Sequence, residues 1–295
     1  MAQTQCAPAT APAAVSEPAI VSPTRWPATA EMHYDALVVG AGFAGAVMAE
    51  RLARVRGWRV LIIDRRSHIG GMAHDRYDEA GLLVQQYGPH IFRAGNTAVR
   101  DYMARFTRWH ELPGTGGALP DRGFSQLFSR LLDHDRIEIM LGVDHAAIAQ
   151  AYAHDHVIYT GGIDAYYGYR HGSLSYHALR FEHETLDQEW FQPRAVRHGM
   201  EAERPLWRIT EHKRLTGQRS NRTSITREFV TTAGEPAYPV RRPDDCRRFA
   251  RYLDLARREP RTVFVGRLAA YRYLRMDQTV AQALDLFARR FAKAA

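Results

Sequence analysis

Three glycines and one carboxylate carry the clearest chemistry in the chain. Gly40, Gly42 and Gly45 stand at G-x-G-x-x-G spacing, and Asp64 closes the segment that follows them. Each glycine has a physical task. Gly40 allows a tight turn, Gly42 lets the backbone approach a diphosphate, and Gly45 lets a helix pack close to a strand. Phe43 and Ala44 belong to the same cofactor-binding stretch, at a helix start whose free N–H groups and partial positive charge suit an anion. Asp64 is placed to accept a hydrogen bond from a ribose hydroxyl. A second glycine pair, Gly70-Gly71, sits in a polar turn beyond Arg65, where close approach of the main chain to a diphosphate again demands glycine. His90 follows a Gly-Pro turn and either supports that turn or faces a ligand.

The elements that hold these residues can be read from apolar spacing. Ala36 to Val39 and Val60 to Ile63 are short continuous apolar runs, predicted as buried parallel strands. Between them Ala46, Val47, Ala49, Leu52, Ala53 and Val55 recur at helical period. The run from Leu82 reads as a strand that stops at the Gly88-Pro89 turn, and Phe124 to Phe128 as an apolar helix. Further on, 178–184, 194–197, 207–210 and 225–229 alternate apolar and polar residues, the pattern of an antiparallel sheet with one wet face. The Tyr166-Tyr167-Gly168-Tyr169 cluster is expected at a sheet edge and in the core. A polar helix over 244–258, a strand from Thr262 to Val265 and a closing helix over 280–287 bring the chain back to its first unit. The expected fold class is α/β: a doubly wound, Rossmann-like nucleotide-binding domain (33–150 and 259–295) with an antiparallel β-sheet substrate module (151–258). Residues 1–32, rich in Ala, Pro, Thr and Ser, are expected to be a disordered tail.

Composition excludes several function classes. The net charge is +8, and all but two of the 40 basic residues, Lys213 and Lys293, are arginine. They are scattered among acidic residues rather than gathered into a stripe, which argues against a nucleic-acid partner. Cys6 and Cys246 make neither a disulfide framework nor a zinc site. With no secretory signal and no apolar run of about 20 residues, no membrane partner is expected and the cytoplasm is the expected location.

The strings VVGAGFAGAVMAERLA, IDRRSHIGGMAHD and QYGPHIF, followed by 137–141, 156–164, 207–213, 234–240 and 266–276, resemble the UDP-galactopyranose mutase family. The resemblance covers nearly everything after the tail. It implies a pyranose/furanose mutase acting on a nucleoside-diphosphate (NDP) hexose. In that family a reduced flavin attacks the anomeric carbon, the diphosphate leaves, and the ring reopens and recloses. By the same resemblance Arg208 and Arg267 lie near the substrate, and Tyr238 and Tyr273 contact diphosphate or sugar. His90 orients the anomeric centre or moves a proton, a task that an ordinary pKa near ~6.5 would suit in both directions.

The chain also departs from the family. An inserted helical domain, which holds the substrate nucleotide in the family, is essentially absent between Trp109 and Phe124, so the chain reads as a short form. At flavin-facing positions Met72, Arg93 and Arg275 replace Asn, His and Asp, with Met276 following, and Ala269 replaces a glycine. Two guanidinium groups at such positions suit a phosphate better than a flavin. Two cofactor readings follow. One keeps FAD in the crevice; the other has no flavin, seats the NDP-sugar at the glycine turn, and recruits Mg or Mn through His68, Asp75 and Asp277. The substrate is then a UDP-, GDP- or dTDP-hexose, and the exposed crevice rim suggests a homodimer. A flavin-dependent oxidoreductase and a non-catalytic sugar-nucleotide-binding protein are the alternative functions.

Overall fold

A computed structural model describes residues 20–21, 33–199 and 206–292. The chain runs through β1 (Ile20–Val21), β2 (His33–Val39), α1 (Phe43–Arg56) and β3 (Val60–Asp64), then the hairpin β4 (Asp75–Tyr77) and β5 (Leu83–Gln85). It continues through α2 (Thr97–Ala104), a second hairpin β6 (Trp109–Leu112) and β7 (Gly117–Pro120), α3 (Phe124–Leu132), β8 (Ile137–Leu141), α4 (His145–Ile148) and β9 (Ala153–Tyr159). Next come α5 (Ile163–Tyr166), β10 (Tyr176–Leu186), β11 (Val196–His198), β12 (Leu206–Glu211), α6 (Lys213–Thr216), β13 (Thr223–Thr231) and β14 (Pro236–Pro239). The described chain closes with α7 (Pro243–Ala256), β15 (Thr262–Phe264) and α8 (Met276–Arg290).

A six-stranded sheet in the order β1-β8-β3-β2-β9-β15 is parallel throughout. From β2 the chain winds to β3 and β8 on one side, then crosses to β9 and β15 on the other. The strand order therefore reverses beside β2, and the glycine turn leaves β2 at that switch point, where α/β sheets bind ligands. Helix α1 is buried over most of its circumference, because α3 and α8 pack on it in addition to the sheet. A five-stranded sheet, β11-β12-β13-β10-β14, forms the second unit and is antiparallel.

Three expectations need correction. Strand β9 lies within the span assigned to the antiparallel module, yet it pairs with β2 and β15 inside the parallel sheet. Its Val157, Ile158 and Tyr159 are buried, as a central parallel strand requires. Within the tail, Ile20–Val21 form an edge strand on β8, while the rest of 1–32, including Cys6, lies outside the described residues. In the tyrosine cluster, Tyr166 and Tyr167 at the end of α5 do pack on Phe264 of the edge strand β15, with Tyr167 also stacked on Tyr252, but Tyr169 is exposed, at φ 57°. Among the described residues no helix is long and apolar enough to cross a membrane.

Candidate functional site

Two glycine stretches meet backbone to backbone at the switch point. Gly40 adopts φ 104° and donates its N–H to Ile63 O at 2.7 Å, turning the chain from β2 into α1. A side chain at Gly45 would overlap the Gly40 carbonyl, so the helix lies as close to the strand as glycine permits. Gly70 donates to Ala41 O at 2.9 Å, and a Cβ on Gly71 would stand 3.2 Å from Gly42 Cα. No side chain caps the first amides of α1, which begin at Phe43 and Ala44. Asp64 is buried and accepts from Ala41 N and Arg66 N, both at 2.9 Å, so it braces the glycine turn from beneath. This glycine seam, the bare helix start and the carboxylate behind it fit the diphosphate and ribose of a dinucleotide.

The arginines come to the same place from the other unit and from the far end of the sheet. Gly266 follows β15 and packs beside Ala44 and Thr160, so Arg267 leaves from the lip of the crevice. Its Nη2 donates to Met72 Sδ at 3.1 Å, next to the Gly42–Gly71 seam, and its guanidinium lies 4.6 Å over the Tyr238 ring. Burial pushes this guanidinium down from its ordinary pKa, and among the described residues it has no ion pair with a carboxylate. Arg208, on β12, is held by Glu228 of β13 through two hydrogen bonds, at 2.5 and 3.2 Å, directly across the ladder. Glu228 is 1% exposed; burial raises its pKa while Arg208 pulls it back.

His90 follows the Gly88 turn, which itself packs against the Arg208–Glu228 pair. Gln85 bonds both its N–H, at 2.8 Å, and its carbonyl, at 2.9 Å. The His90 Nδ1 is 2.8 Å from Gly88 O; a carbonyl can only accept, so Nδ1 carries the proton and Nε2 remains the acceptor. Burial, with Arg267 and Arg208 nearby, lowers the imidazole pKa to about 4. The expectation of two-way proton traffic at neutral pH is therefore corrected: His90 is a neutral acceptor. Tyr238 is raised by burial, its ring lies 5.8 Å from Tyr273, and Tyr273 is 65% exposed.

Other expected site residues point elsewhere. Arg93 is exposed and donates to Thr115 O at 3.1 Å in the β6–β7 hairpin. Arg275 is also exposed and forks onto Asp277 at 3.0 and 3.1 Å at the start of α8, where Met276 is partly buried against the core. Arg275 is thus paired with a carboxylate, whereas Arg93 spends only its Nε on a main-chain carbonyl. Arg65 pairs with Glu235 at 3.2 Å, and Arg66 with the same carboxylate at 2.5 Å. The proposed metal trio also fails. His68 bonds Tyr87 and stacks on His74, Asp75 accepts from the Phe124 and Ser125 amides at the start of α3, and Asp277 belongs to Arg275. Among the described residues no group of three or more His, Cys, Asp or Glu is arranged for a metal ion. Glu228, Glu235 and Trp207 were missed, because nothing local in sequence marks the strand pairing that places them.

Residues 108–273 match the family model described as UDP-galactopyranose mutase, and residues 38–106 match an NAD(P)-binding Rossmann-like domain. The chain is 28% identical to a protein of Klebsiella pneumoniae described as a probable UDP-galactopyranose mutase, covering 84% of this chain and 92% of that one. That alignment runs over 357 positions, more than the 295 residues present here, so a sizeable part of the relative has no counterpart. It is 25% identical to the dTDP-fucopyranose mutase of Escherichia coli, over 84% and 96% of the two chains. In fold it is similar to a crystal structure of reduced UDP-galactopyranose mutase (TM-score 0.66, 12% identity, 87% and 95% covered). It is also similar in fold to putrescine oxidase bound to putrescine (TM-score 0.53, 9% identity, 89% and 100% covered).

Proposed function

The chain belongs to the UDP-galactopyranose mutase family, and we propose that it interconverts the pyranose and furanose forms of an NDP-hexose. The observation that carries this reading is the convergence of Arg208 and Arg267, from separate parts of the chain, on one pair of touching rings: Arg208 lies over Trp207, and Arg267 lies over Tyr238 while reaching Met72 beside Gly71. Ring contraction breaks the bond between the anomeric carbon and the diphosphate, opens the ring, and recloses it through a different hydroxyl. Charge therefore builds on the departing diphosphate. Arg267, partly buried and without a carboxylate partner among the described residues, receives that charge in a setting where a guanidinium is worth far more than in water. Arg208 supplies a second guanidinium, fixed in place by Glu228. Tyr238 and Tyr273 flank the leaving group, and His90 Nε2 accepts from a sugar hydroxyl so that the correct oxygen recloses the ring.

The Gly42–Gly71 seam, the α1 start at Phe43 and Ala44, and Asp64 would hold the diphosphate and ribose of FAD. When bound and reduced, that group supplies the electron pair to the anomeric carbon. With the dinucleotide there, the sugar nucleotide lies on the arginine side, with its own diphosphate on Arg208 and Arg267.

The test is incubation of the purified chain with UDP-, GDP- and dTDP-hexoses, with FAD and dithionite and without either, followed by chromatography for a furanose product. A furanose formed only with reduced flavin supports the whole reading. A furanose formed with Mg or Mn and no flavin removes the FAD part. Unchanged ring size under every condition rejects the mutase, and peroxide or acceptor reduction in its place assigns an oxidase.

A further inference from the structure

The β12–β13 ladder slips between Leu206 and Arg208: Leu206 faces Phe229, and Arg208 faces the very next residue, Glu228. Trp207 is thus the extra residue of a β-bulge. Bulges recur beside functional sites because they re-aim a side chain. In a regular strand neighbouring side chains point to opposite faces, yet here the Arg208 guanidinium lies 4.4 Å over the Trp207 ring. The indole meets the Tyr238 ring edge-on at 6.3 Å and 90°, and Tyr238 in turn carries Arg267. One ring system therefore joins both guanidinium groups. Despite these contacts Trp207 stays 37% exposed, a large apolar surface left open next to the charges that would hold a diphosphate.

From this geometry we infer that Trp207 is the stacking platform for the nucleobase of the substrate, an inference that rests on the proposed NDP-sugar site. A nucleoside diphosphate places an aromatic heterocycle one ribose away from its phosphates. A guanidinium on one face of an indole leaves the other for a base, and stacking accepts any base because each has a π-face. The hydrogen bonds that choose among uracil, guanine and thymine are then a separate matter from the stack. Tyr273, the other exposed ring of the cluster, lacks both the bulge and the guanidinium cover.

Calorimetric titration of the full chain with UDP, GDP, dTDP and inorganic pyrophosphate tests the inference. Trp207→Ala should weaken all three nucleotides by roughly five- to a hundredfold while leaving pyrophosphate affinity unchanged, and Trp207→Phe should recover most of the loss. During turnover, KM should rise with kcat unchanged. Equal nucleotide binding by wild type and Trp207→Ala overturns the inference, and loss on Tyr273→Ala instead moves the platform to Tyr273. Equal loss of pyrophosphate binding also overturns it, since Trp207 then serves only to seat Arg208. A wild-type chain that binds no nucleoside diphosphate overturns both readings. One that binds them, with the Trp207 pattern, but makes no furanose rejects only the mutase.

Discussion

Removing Arg208 separates its structural role from its chemical one. In the folded chain its guanidinium satisfies Glu228, a carboxylate 1% exposed to solvent. Arg208→Ala strands that carboxylate in a site where burial already raises its pKa. Breaking such a buried pair costs about 3–5 kcal/mol; with Arg208 16% exposed on its own side, about 3 kcal/mol is expected. The loss depends on pH. A carboxyl whose folded pKa lies above its unfolded value costs stability at neutral pH and sheds that cost as pH falls through the folded value, so the variant should be closest to wild type in mild acid. Urea denaturation at pH 7 and at pH 5 measures both effects. The double variant Arg208→Ala/Glu228→Gln removes the stranded charge and should regain about 2 kcal/mol. Activity should not follow: if Arg208 meets the departing diphosphate, both variants lose about 10²–10³ in kcat/KM. Recovery of turnover along with stability in the double variant would show that Arg208 only props up the sheet, and the mechanistic assignment would fall.

Arg267→Ala should cost about 10²–10³ in kcat/KM, measured by product chromatography, with little change in melting temperature because no carboxylate among the described residues is left unpaired. An NMR titration should find the His90 pKa near 4 in the free chain and higher with UDP bound, since a dianion offsets the charges of Arg267 and Arg208; an unmoved value would place the nucleotide elsewhere. Gly71→Ala puts a methyl against Gly42 at φ 55° and should abolish FAD retention, read from the visible spectrum of the purified protein, at a stability cost of about 1–3 kcal/mol. Glu50 is buried, which pushes its pKa up, but Arg51, Tyr102 and Arg105 outweigh this and hold it below the ordinary value. Its contribution is present above about pH 4.5 and lost as pH falls through the folded value, so Glu50→Gln should flatten the acid limb of a pH–stability profile.

The parts legible in sequence were those with local causes. A glycine turn between a buried strand and a helix needs only its own neighbours, so Gly40, Gly42, Gly45 and Asp64 were readable from spacing. The alternating strands of the second unit were readable for the same reason. The partners of Arg93 and Arg275 were not legible, because aligned position says nothing of side-chain direction: Asp277, two residues on, draws Arg275 into a fork, and a carbonyl of the neighbouring hairpin takes the Nε of Arg93. Strand β9 begins with a mostly polar stretch, Ala153 to His156, and only its last residues carry the apolar signature of a central strand. Glu228 and the bulge at Trp207 depend on which residue of β13 faces which of β12, information that exists only once the strands have paired.

The strand order has a bearing on synthesis at the ribosome. β15 docks on the free side of β9, and α8 lies along α1, yet both are made after the entire antiparallel sheet. Until they emerge, the flank of β9 and one face of α1 stay uncovered, and Arg267 does not yet exist. The nascent chain can wind its first strands early, but the pocket closes only when the late segment returns, so a stalled or shortened product carries the glycine turn without the means to use it.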